Sequence, residues 1–443
     1  MDLLEEAEKR ADDAELYAVE SEVYPVSFKS GQVESAKSVY TTGRALRVVK
    51  DGRLGFSSTT NLNDGNLVDR ALSSAKFGDQ VSFRFPAKDE YDYDYLEAYD
   101  KSVESLTIED LIERARTIIE PLEDYDSRLQ IDLDISKGAN TTTLVNTSGL
   151  ALEERRSQIS VSVQVQQVKE EDIFTIWASD SARREGRIDY ASLTQQLIQR
   201  LRWAERTAAV PQGHQPAVFT PRGAMVLLLP LMVGLNGKNV YLESSPLTDS
   251  LGEEVFDSRF SLIDDGRCID SSVAQTFDDE GVPTSRKKLV DAGTVKKFLY
   301  DLKTATRSAT KPTGNGYKSG IVSDGDFRSV PDAGPSSLFV QEGGRSFGEL
   351  IQSIEDGILV DQVLGLGQGN VISGEFSNNV AVGYRIKDGS LTGKVKDTMI
   401  AGNAYELLGD SLRGIGQVSE WVGGQICSPP IAVDNLSVVQ QSA

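Results

Sequence analysis

The sequence predicts an α+β fold of two domains: an N-terminal domain of mixed sheet and helices, then a C-terminal domain rich in antiparallel β-sheet. Three observations lead to this prediction. The chain has 443 residues, enough for two domains of ordinary size. Its 39 glycines and 14 prolines indicate many turns, and hence substantial sheet. Strand and helix patterns are mixed in the first half, whereas residues 239–443 show mainly short strands and glycine turns.

The N-terminal domain is expected over residues 1–210 and begins with a short amphipathic helix at 2–13. A strand pattern follows, and the chain then forms two hairpins. The first turns near Gly31, and the second turns at Asp51-Gly52, a dipeptide typical of tight hairpin turns. Leu67 to Lys76 has the apolar spacing of a helix.

A linker or surface loop is predicted over about 83–104, where the chain is acidic and rich in tyrosine. Two helices are expected beyond it, at Thr107–Glu120 and Asp189–Thr207. Strands are predicted between these helices, at Leu129–Lys137, Thr141–Asn146 and Glu153–Lys169. Residues 159–168 have an apolar–polar period of two, broken only at Gln166-Gln167, so one face of that strand should be buried and the other polar.

The C-terminal domain is expected over residues 211–443, after a polar loop at Pro211-Gln212-Gly213. A strand at Ala217–Phe219 leads to Thr220-Pro221, where Thr can cap a helix and Pro can occupy its first position. This helix should continue through the apolar stretch 224–233, with Pro230 kinking it. One later helix is predicted at Ser346–Asp356.

Composition narrows the possible functions. The net charge of −21 argues against a role in gripping nucleic acid, because phosphate binding depends on clusters of Lys and Arg. Only two cysteines, Cys268 and Cys427, favour a reducing compartment over a disulfide framework. The N-terminus lacks the features of a signal peptide, and the longest apolar run is about half a membrane span. The protein is therefore expected to be cytoplasmic, without a membrane partner.

Sequence blocks along nearly the whole chain carry a family resemblance. The first half contains G-Q-V-E-S (31–35), a long block over 43–59 and N-T-S-G (146–149). The second half contains L-N-G-K-N (235–239), F-D-D-E-G-V-P-T (277–284), G-N-G (314–316), S-G-E-F-S (373–377) and I-A-G-N (400–403). With these blocks, in this order and spacing, the chain resembles the TldD/PmbA family, in which PmbA is also called TldE. The octapeptide at 277–284 is the most specific of them.

The resemblance implies a zinc peptidase in which only one of two subunit types holds the metal. The TldD type carries an H-E-x-x-H helix, where two imidazoles bind zinc and the glutamate is the general base. Here Leu228, Leu229 and Val233 stand at the positions of the two histidines and the glutamate. The chain therefore resembles the PmbA/TldE type. No metal or catalytic residue is expected in it, and zinc is expected in a TldD-type partner.

Other metal and nucleophile sites have weak support in the sequence. Zinc could draw on Cys268, Cys427 and His214, but these are far apart in sequence; two buried thiols and a loop histidine are the plainer interpretation. His214 could activate a nucleophile, yet no G-x-S-x-G elbow is present. The run Gly365–Gly369 is G-x-G-x-G, which favours a loop lining a chamber over a phosphate site.

Candidate substrate or interface residues are taken from the blocks of the second half. The acidic Asp278-Asp279-Glu280 could attract a hard cation, but a structural turn near the chamber is preferred, with a substrate or subunit contact as the alternative. Asn236, Gly314, Asn315 and Gly316 complete this set. The apolar helix has two interpretations as well, a plain core helix or an interface element.

The resemblance implies a metal-free subunit of a cytoplasmic TldD-type metallopeptidase that processes or degrades unfolded or ribosomally made peptides. The partner would be a TldD-type chain in a heterodimer, or a second copy in a homodimer. Two other functions remain open. The chain could be a homodimeric peptidase acting alone by an unfamiliar mechanism, or a non-proteolytic scaffold that binds peptides or modulates gyrase.

Overall fold

The computed structural model describes residues 3–169, 172–319 and 326–440, and it has the predicted α+β fold. The N-terminal part is built on one large sheet. Its strands are β1 (Asp13–Lys29), β2 (Gln32–Ala36), β3 (Val39–Lys50), β4 (Arg53–Thr59), β5 (Gln130–Asn146), β6 (Ala151–Lys169) and β7 (Asp172–Ala182). Their order is β4-β3-β1-β5-β6-β7, with β2 paired to β1, and every pairing is antiparallel.

Both predicted hairpins are confirmed, but some predicted strand breaks are wrong. Leu129–Lys137 and Thr141–Asn146 form one strand, β5, and β1 runs unbroken through Pro25. Strands β1 and β5 pair with each other from Glu15–Asn146 to Phe28–Leu133. The hydrogen bonds of this continuous ladder keep both backbones extended through the positions where breaks were predicted. Strand β7 was not predicted.

Five α-helices accompany this sheet in the described residues: α1 (Leu3–Glu8), α2 (Leu67–Ala75), α3 (Lys101–Ser105), α4 (Ile108–Tyr125) and α5 (Tyr190–Trp203). Helix α4 begins where predicted because Thr107 and Asp110 form a capping box. Asp189 caps α5 by accepting from Ser192 N. The apolar faces of α4 and α5 bury Leu111, Ile118 and Leu197 against the sheet, at about 1.5–3 kcal/mol for each such side chain.

The segment at 83–104 is more than a surface linker. Partly buried Tyr93 joins it to the C-terminal part: its hydroxyl donates to the Gly281 carbonyl at 2.6 Å, and its ring meets Phe277 edge-on. Phe83 and Phe85 are also buried. The acidic residues suggested an exposed linker. The tyrosines and phenylalanines of the segment, however, supply the apolar area that packs it against the rest of the protein.

The C-terminal part contains a ring of strands and a second sheet. The described strands are β8 (Gly213–Phe219), β9 (Leu262–Asp265), β10 (Arg286–Asp291), β11 (Thr294–Val295), β12 (Gly316–Tyr317), β13 (Asp332–Ala333), β14 (Leu338–Val340), β15 (Asp356–Leu364), β16 (Glu375–Lys387), β17 (Ser390–Lys394), β18 (Thr398–Asn403), β19 (Leu412–Ile415), β20 (Glu420–Val422), β21 (Ile426–Ser428) and β22 (Ile431–Gln440). The order β15-β8-β22-β18-β16 closes on itself because β16 also pairs with β15. The second sheet has the order β11-β10-β9-β14-β21-β20, and β12 pairs separately with β13.

Five α-helices are described in this part: α6 (Met225–Gly234), α7 (Gly237–Tyr241), α8 (Leu302–Arg307), α9 (Phe347–Gln352) and α10 (Ala404–Leu408). Helix α6 starts later than predicted. Thr220 Oγ1 accepts from Gly223 N as a cap should, but the residues it caps form a turn, and the helix begins at Met225. Helix α9 ends earlier than predicted, since Asp356 already belongs to β15.

Helix α6 is apolar on all sides, and 7 of its 10 residues are buried, as expected of a helix that packs mainly in a core. Leu227, Leu228 and Leu231 are fully buried in the main C-terminal cluster. The helix has 10 residues, and no helix in the described ranges is long and apolar enough to cross a membrane.

Candidate functional site

A cleft of about 450 Å³ lies where the N-terminal sheet faces loops of the C-terminal part. Tyr17 of β1 and Arg156 of β6 line it from the sheet. Asp279, Lys318 and Phe327 line it from the C-terminal loops. Its size is that of a pocket for a small ligand. It brings together residues distant in sequence, including one of the predicted candidates, Asp279.

Asp278 organises the turn beside this cleft and does not face it. Its Oδ1 accepts from Glu280 N at 3.0 Å and Val282 N at 2.9 Å, and its Oδ2 accepts from Gly316 N at 2.8 Å. The side chain is buried, and burial together with the neighbouring charge of Glu280 raises the pKa of Asp278 well above its usual value. All the observed contacts of Asp278 are those of a structural residue.

Glu280 belongs to a buried ionic network that joins the two parts of the protein. Its Oε1 accepts from Arg47 Nη1 at 2.6 Å, and its Oε2 accepts from Leu302 N at 2.7 Å. The same guanidinium donates to Glu15 Oε1 through Nη2 at 2.7 Å and Nε at 2.9 Å. Each of the three charged side chains is at most 2% exposed. Neither Glu15 nor Arg47 was singled out from the sequence.

Burial raises the pKa of Glu280 to about 7, although the contact with Arg47 lowers it. The direction of this pKa shift determines how the free energy of unfolding changes with pH. Between the ordinary value of 4.5 and about 7, the unfolded carboxyl loses its proton while the folded one keeps it. The unfolded state then binds fewer protons, so the contribution of this group falls as pH rises, by about 1.4 kcal/mol per pH unit at most.

Replacing Glu280 with Gln is expected to remove this slope. The free energy of unfolding of Glu280→Gln should depend less steeply on pH between about 4.5 and 7 than that of the parent protein. Denaturant titrations at half-unit pH steps measure the difference. Glu113→Gln, on the exposed side of α4, is the control and should keep the parental slope. Equal slopes for all three proteins contradict the expected shift.

Asp279 faces the cleft next to a buried lysine. Its Oδ1 accepts from the Tyr17 hydroxyl at 3.1 Å, and its Oδ2 accepts from Lys318 N at 2.8 Å. Lys318 Nζ donates to the Ser329 carbonyl at 2.8 Å and lies 4.9 Å from the centre of the Tyr17 ring. Burial, reinforced by the charge of Arg47, lowers the pKa of Lys318 to about 8.

The Gly314-Asn315-Gly316 segment fits around this acidic turn. Gly314 has φ +71°, and a Cβ on Gly316 would stand 2.4 Å from Glu280 Oε2, so both glycines meet a backbone or packing requirement. Asn315 is buried and donates to Asp264 Oδ2 and to the Gly334 carbonyl, both at 2.9 Å.

Asn236 stands apart from the other candidates. It caps α7 by accepting from Lys238 N and donates to the Ala333 carbonyl. Ala333 in turn pairs with Gly316 across β12 and β13, so Asn236 reaches the turn only through one intervening strand. The structure thus brings six of the seven candidates together. Their roles as substrate or interface contacts stay a prediction.

The apolar helix offers nothing to a metal ion. Leu228 is fully buried, whereas Leu229 and Val233 lie on a partly exposed face, where a Cβ on Gly367 would meet Leu229 at 3.4 Å. The alignment to H-E-x-x-H needs a correction: counted from Leu228, the second imidazole falls on Met232 and not on Val233. None of these side chains has the nitrogen or oxygen lone pairs that zinc prefers, so they do not fit the metal.

The two cysteines and the histidine do not form a zinc site in the structure. No group of three or more His, Cys, Asp or Glu able to hold a metal occurs among the described residues. His214 lies in strand β8 and not in a loop, with Nδ1 3.1 Å from the Asn435 carbonyl. Cys427 and Cys268 are free thiols and only partly buried, not fully buried as expected. Burial raises the pKa of Cys427 to about 11, which favours the protonated thiol.

The sequence interpretation missed the positively charged side of the cleft. Arg156, Arg183 and Lys318 all line it. Of these three residues, only Arg156 could have been identified from the sequence. It lies in β6, whose alternation predicts a polar face opposite the buried face. Arg183 and Lys318 lie in irregular segments, and no local pattern marks them as neighbours.

Comparison with known proteins gives a consistent result along the chain. Residues 14–75 match the family model described as PmbA/TldA metallopeptidase domain 1, residues 101–209 match the central domain, and residues 212–440 match the C-terminal domain. The one large sheet combines strands from the first two of these matches. The predicted division into two domains at 210/211 stays a prediction.

Individual relatives agree with the family models. An uncharacterised protein of Methanocaldococcus jannaschii is 24% identical over 413 residues, which cover 93% of each chain. A metalloprotease TldD homologue of Buchnera aphidicola subsp. Acyrthosiphon pisum is 26% identical over 272 residues, 58% of this chain and 54% of its own. The crystal structure of TldE from Thermococcus kodakarensis superposes with a TM-score of 0.88 at 22% identity and covers 99% of both chains, which shows a common fold.

Proposed function

Because this chain belongs to the PmbA/TldA metallopeptidase family, we propose that it is the metal-free subunit of a cytoplasmic TldD-type zinc metallopeptidase. The complex would process or degrade unfolded or ribosomally made peptides. Zinc would be held by the TldD-type partner, and this chain would complete the chamber in which the peptide is cut.

One observation carries the proposal: the positions expected of zinc ligands hold apolar side chains packed in the core. Leu228 is fully buried and Met232 is 2% exposed, so both are surrounded by other apolar groups. A zinc peptidase site needs three protein ligands and an open position for water, and this helix provides neither. The helix supports the C-terminal core instead.

A second feature supports assembly with another chain. Near the partly exposed face of α6, Leu364 and Leu366 are 53% and 42% exposed. A Cβ on Gly367, between the neighbouring glycines Gly365 and Gly369, would stand 3.4 Å from Leu229. Apolar side chains grouped at a surface favour a protein interface, which the proposed partner would cover.

The proposal is tested by reconstitution with a TldD-type chain that carries H-E-x-x-H, encoded in the same genome. Each chain is purified alone and as a mixture, and three quantities are measured: mass by size-exclusion chromatography, zinc per chain, and cleavage of an unfolded peptide. We expect a heterodimer, with zinc and cleavage only where the partner is present. A partner with Gln in place of the motif glutamate is the control and should assemble without cleaving.

Two outcomes would overturn the proposal in different ways. Stoichiometric zinc or chelator-sensitive cleavage in the isolated chain would indicate a peptidase acting alone, and the measured mass would then distinguish a homodimer from a monomer. An assembled complex that cuts no better than the partner alone would indicate a scaffold without a proteolytic role.

A further inference from the structure

The cleft described above is positively charged, although the whole chain has a net charge of −21. Three cationic side chains line it: Arg156, Arg183 and Lys318. Arg183 is 4% exposed, Lys318 is 3% exposed and Arg156 is 9% exposed. Burying a charge is costly unless an opposite charge accompanies it, so the partners of each group decide what the cleft can bind.

Arg183 has no carboxylate partner among the described residues. Its Nε donates to the Ala274 carbonyl at 3.0 Å, and its Nη1 donates to the Ser157 carbonyl at 3.2 Å. These neutral contacts fix the orientation of the guanidinium and supply no opposite charge. Glu154 is close enough to act on Arg183 electrostatically, but no ion pair between them is among the described contacts. Burial, and then the charge of Arg156, lowers the pKa of Arg183 well below its usual value. An anion bound beside Arg183 would stabilise its charged form.

Arg156 is also poorly paired. It donates to Thr142 Oγ1 at 3.1 Å and to Gln275 Oε1, both neutral groups. Its nearest carboxylate, Glu154, is 3.9 Å from Nε and has its other oxygen bonded to Thr276. The two arginines therefore stand together with little neutralisation.

The acidic groups of the cleft have other partners. Asp279 accepts from the Tyr17 hydroxyl and from Lys318 N, and Asp326 is bound by Arg328. They also limit the ligand, because two carboxylates in the same cleft repel a polyanion such as a nucleic acid or a polyphosphate. The charge balance suits a ligand with a single negative charge.

We propose that Arg183 and Arg156 bind the C-terminal α-carboxylate of a peptide in this cleft. A guanidinium offers a planar pair of N–H groups that matches the two oxygens of a carboxylate. Side-chain amides in the lining can bond to peptide groups, and Val19, Val273 and Phe327 supply apolar surface for a side chain. The volume of about 450 Å³ holds the last two or three residues. Only the peptide nature of the ligand rests on the proposed function.

The test measures binding to the isolated full-length chain by calorimetry. The first probe is an acetylated tripeptide of alanine, alanine and leucine with a free C-terminal carboxylate; the second is the same peptide as its C-terminal amide. We expect the acid to bind at least tenfold more tightly than the amide. A third probe, an amidated peptide with glutamate in place of the middle alanine, distinguishes a side-chain carboxylate from the chain terminus.

Variants at neighbouring arginines provide the matched comparison. Arg183→Gln should weaken binding of the acid at least tenfold and leave the amide unaffected. Arg184→Gln, whose side chain is 48% exposed and pairs with Glu97, should leave both unchanged. If Arg183→Gln fails to fold, Arg183→Lys keeps the charge, loses the planar fork and should still weaken binding of the acid.

Three results would overturn the inference. Equal binding of acid and amide by the parent protein excludes a carboxylate site. Unchanged binding of the acid by folded Arg183→Gln excludes Arg183 from it. Equal or tighter binding of the amidated glutamate peptide keeps the carboxylate site but rejects the chain terminus as its source. No partner chain is used, so failure to form the proposed heterodimer does not affect the outcome.

Discussion

The Arg47→Ala variant is expected to lose about 3–5 kcal/mol of unfolding free energy. Arg47 is 2% exposed and holds Glu15 and Glu280 within hydrogen-bond distance. Removing the cation leaves two buried carboxylates without their shared guanidinium, and each must stay charged in the core or take up a proton. Because Glu15 lies in β1 and Glu280 in the C-terminal turn, the loss also weakens contact between the two parts of the protein.

Guanidinium denaturation at pH 7, followed by circular dichroism, measures this effect. The control is Arg10→Ala, which removes an exposed arginine paired with Glu6 and Asp69 and should leave the midpoint unchanged. Glu15→Gln combined with Glu280→Gln in the Arg47→Ala background should recover part of the loss, since both uncompensated charges are then absent. A midpoint for Arg47→Ala equal to that of the control would show that the buried network contributes nothing to stability.

A histidine placed at Leu228 is expected to cost about 3–5 kcal/mol and to bind no zinc. The leucine is fully buried in the C-terminal core. The substitution loses its apolar burial, about 1.5–3 kcal/mol, and leaves a buried N–H without an acceptor, about 1–3 kcal/mol. Thermal and denaturant unfolding measure the loss. Added zinc should not raise the melting temperature, because the described residues of the cluster that encloses Leu228 are apolar and offer zinc no ligands.

The neighbouring position supplies the comparison for this variant. Leu229→His makes the same change one residue along α6, on the partly exposed face, where the imidazole can reach water. Its cost should be about 1 kcal/mol or less. Similar losses for the two variants, or stabilisation of Leu228→His by zinc, would contradict the assignment of this helix to the core.

Much of the local structure was predictable because it depends on short-range patterns. Asp51-Gly52 fixed a hairpin, since both residues have positive φ and Gly tolerates it. Thr107 and Asp189 marked helix starts through side-chain caps. The alternation over 159–168 predicted which face of β6 is buried, and Ile159, Val161, Val163 and Val165 are indeed buried.

The candidate site was only partly predictable. The acidic turn and the Gly-Asn-Gly segment were selected from sequence blocks, and the structure places them side by side. The charges that compensate or surround them come from elsewhere in the chain: Arg47 lies 233 residues from Glu280, and Arg156 lies 119 residues from Gln275. A single sequence contains no sign that such residues meet, because their proximity depends on strand pairing and domain packing.

The sequence by itself determined the family, the α+β class and the absence of imidazole and carboxylate side chains from helix α6, because composition and short motifs are properties of the chain alone. Tertiary structure decided what those residues do. It buried Glu280 beside Arg47, turned Asp278 into a structural acceptor, and gathered Arg156, Arg183 and Lys318 around one cleft. The physical reason is that desolvation and charge pairing depend on distances in space, which the order of residues does not give.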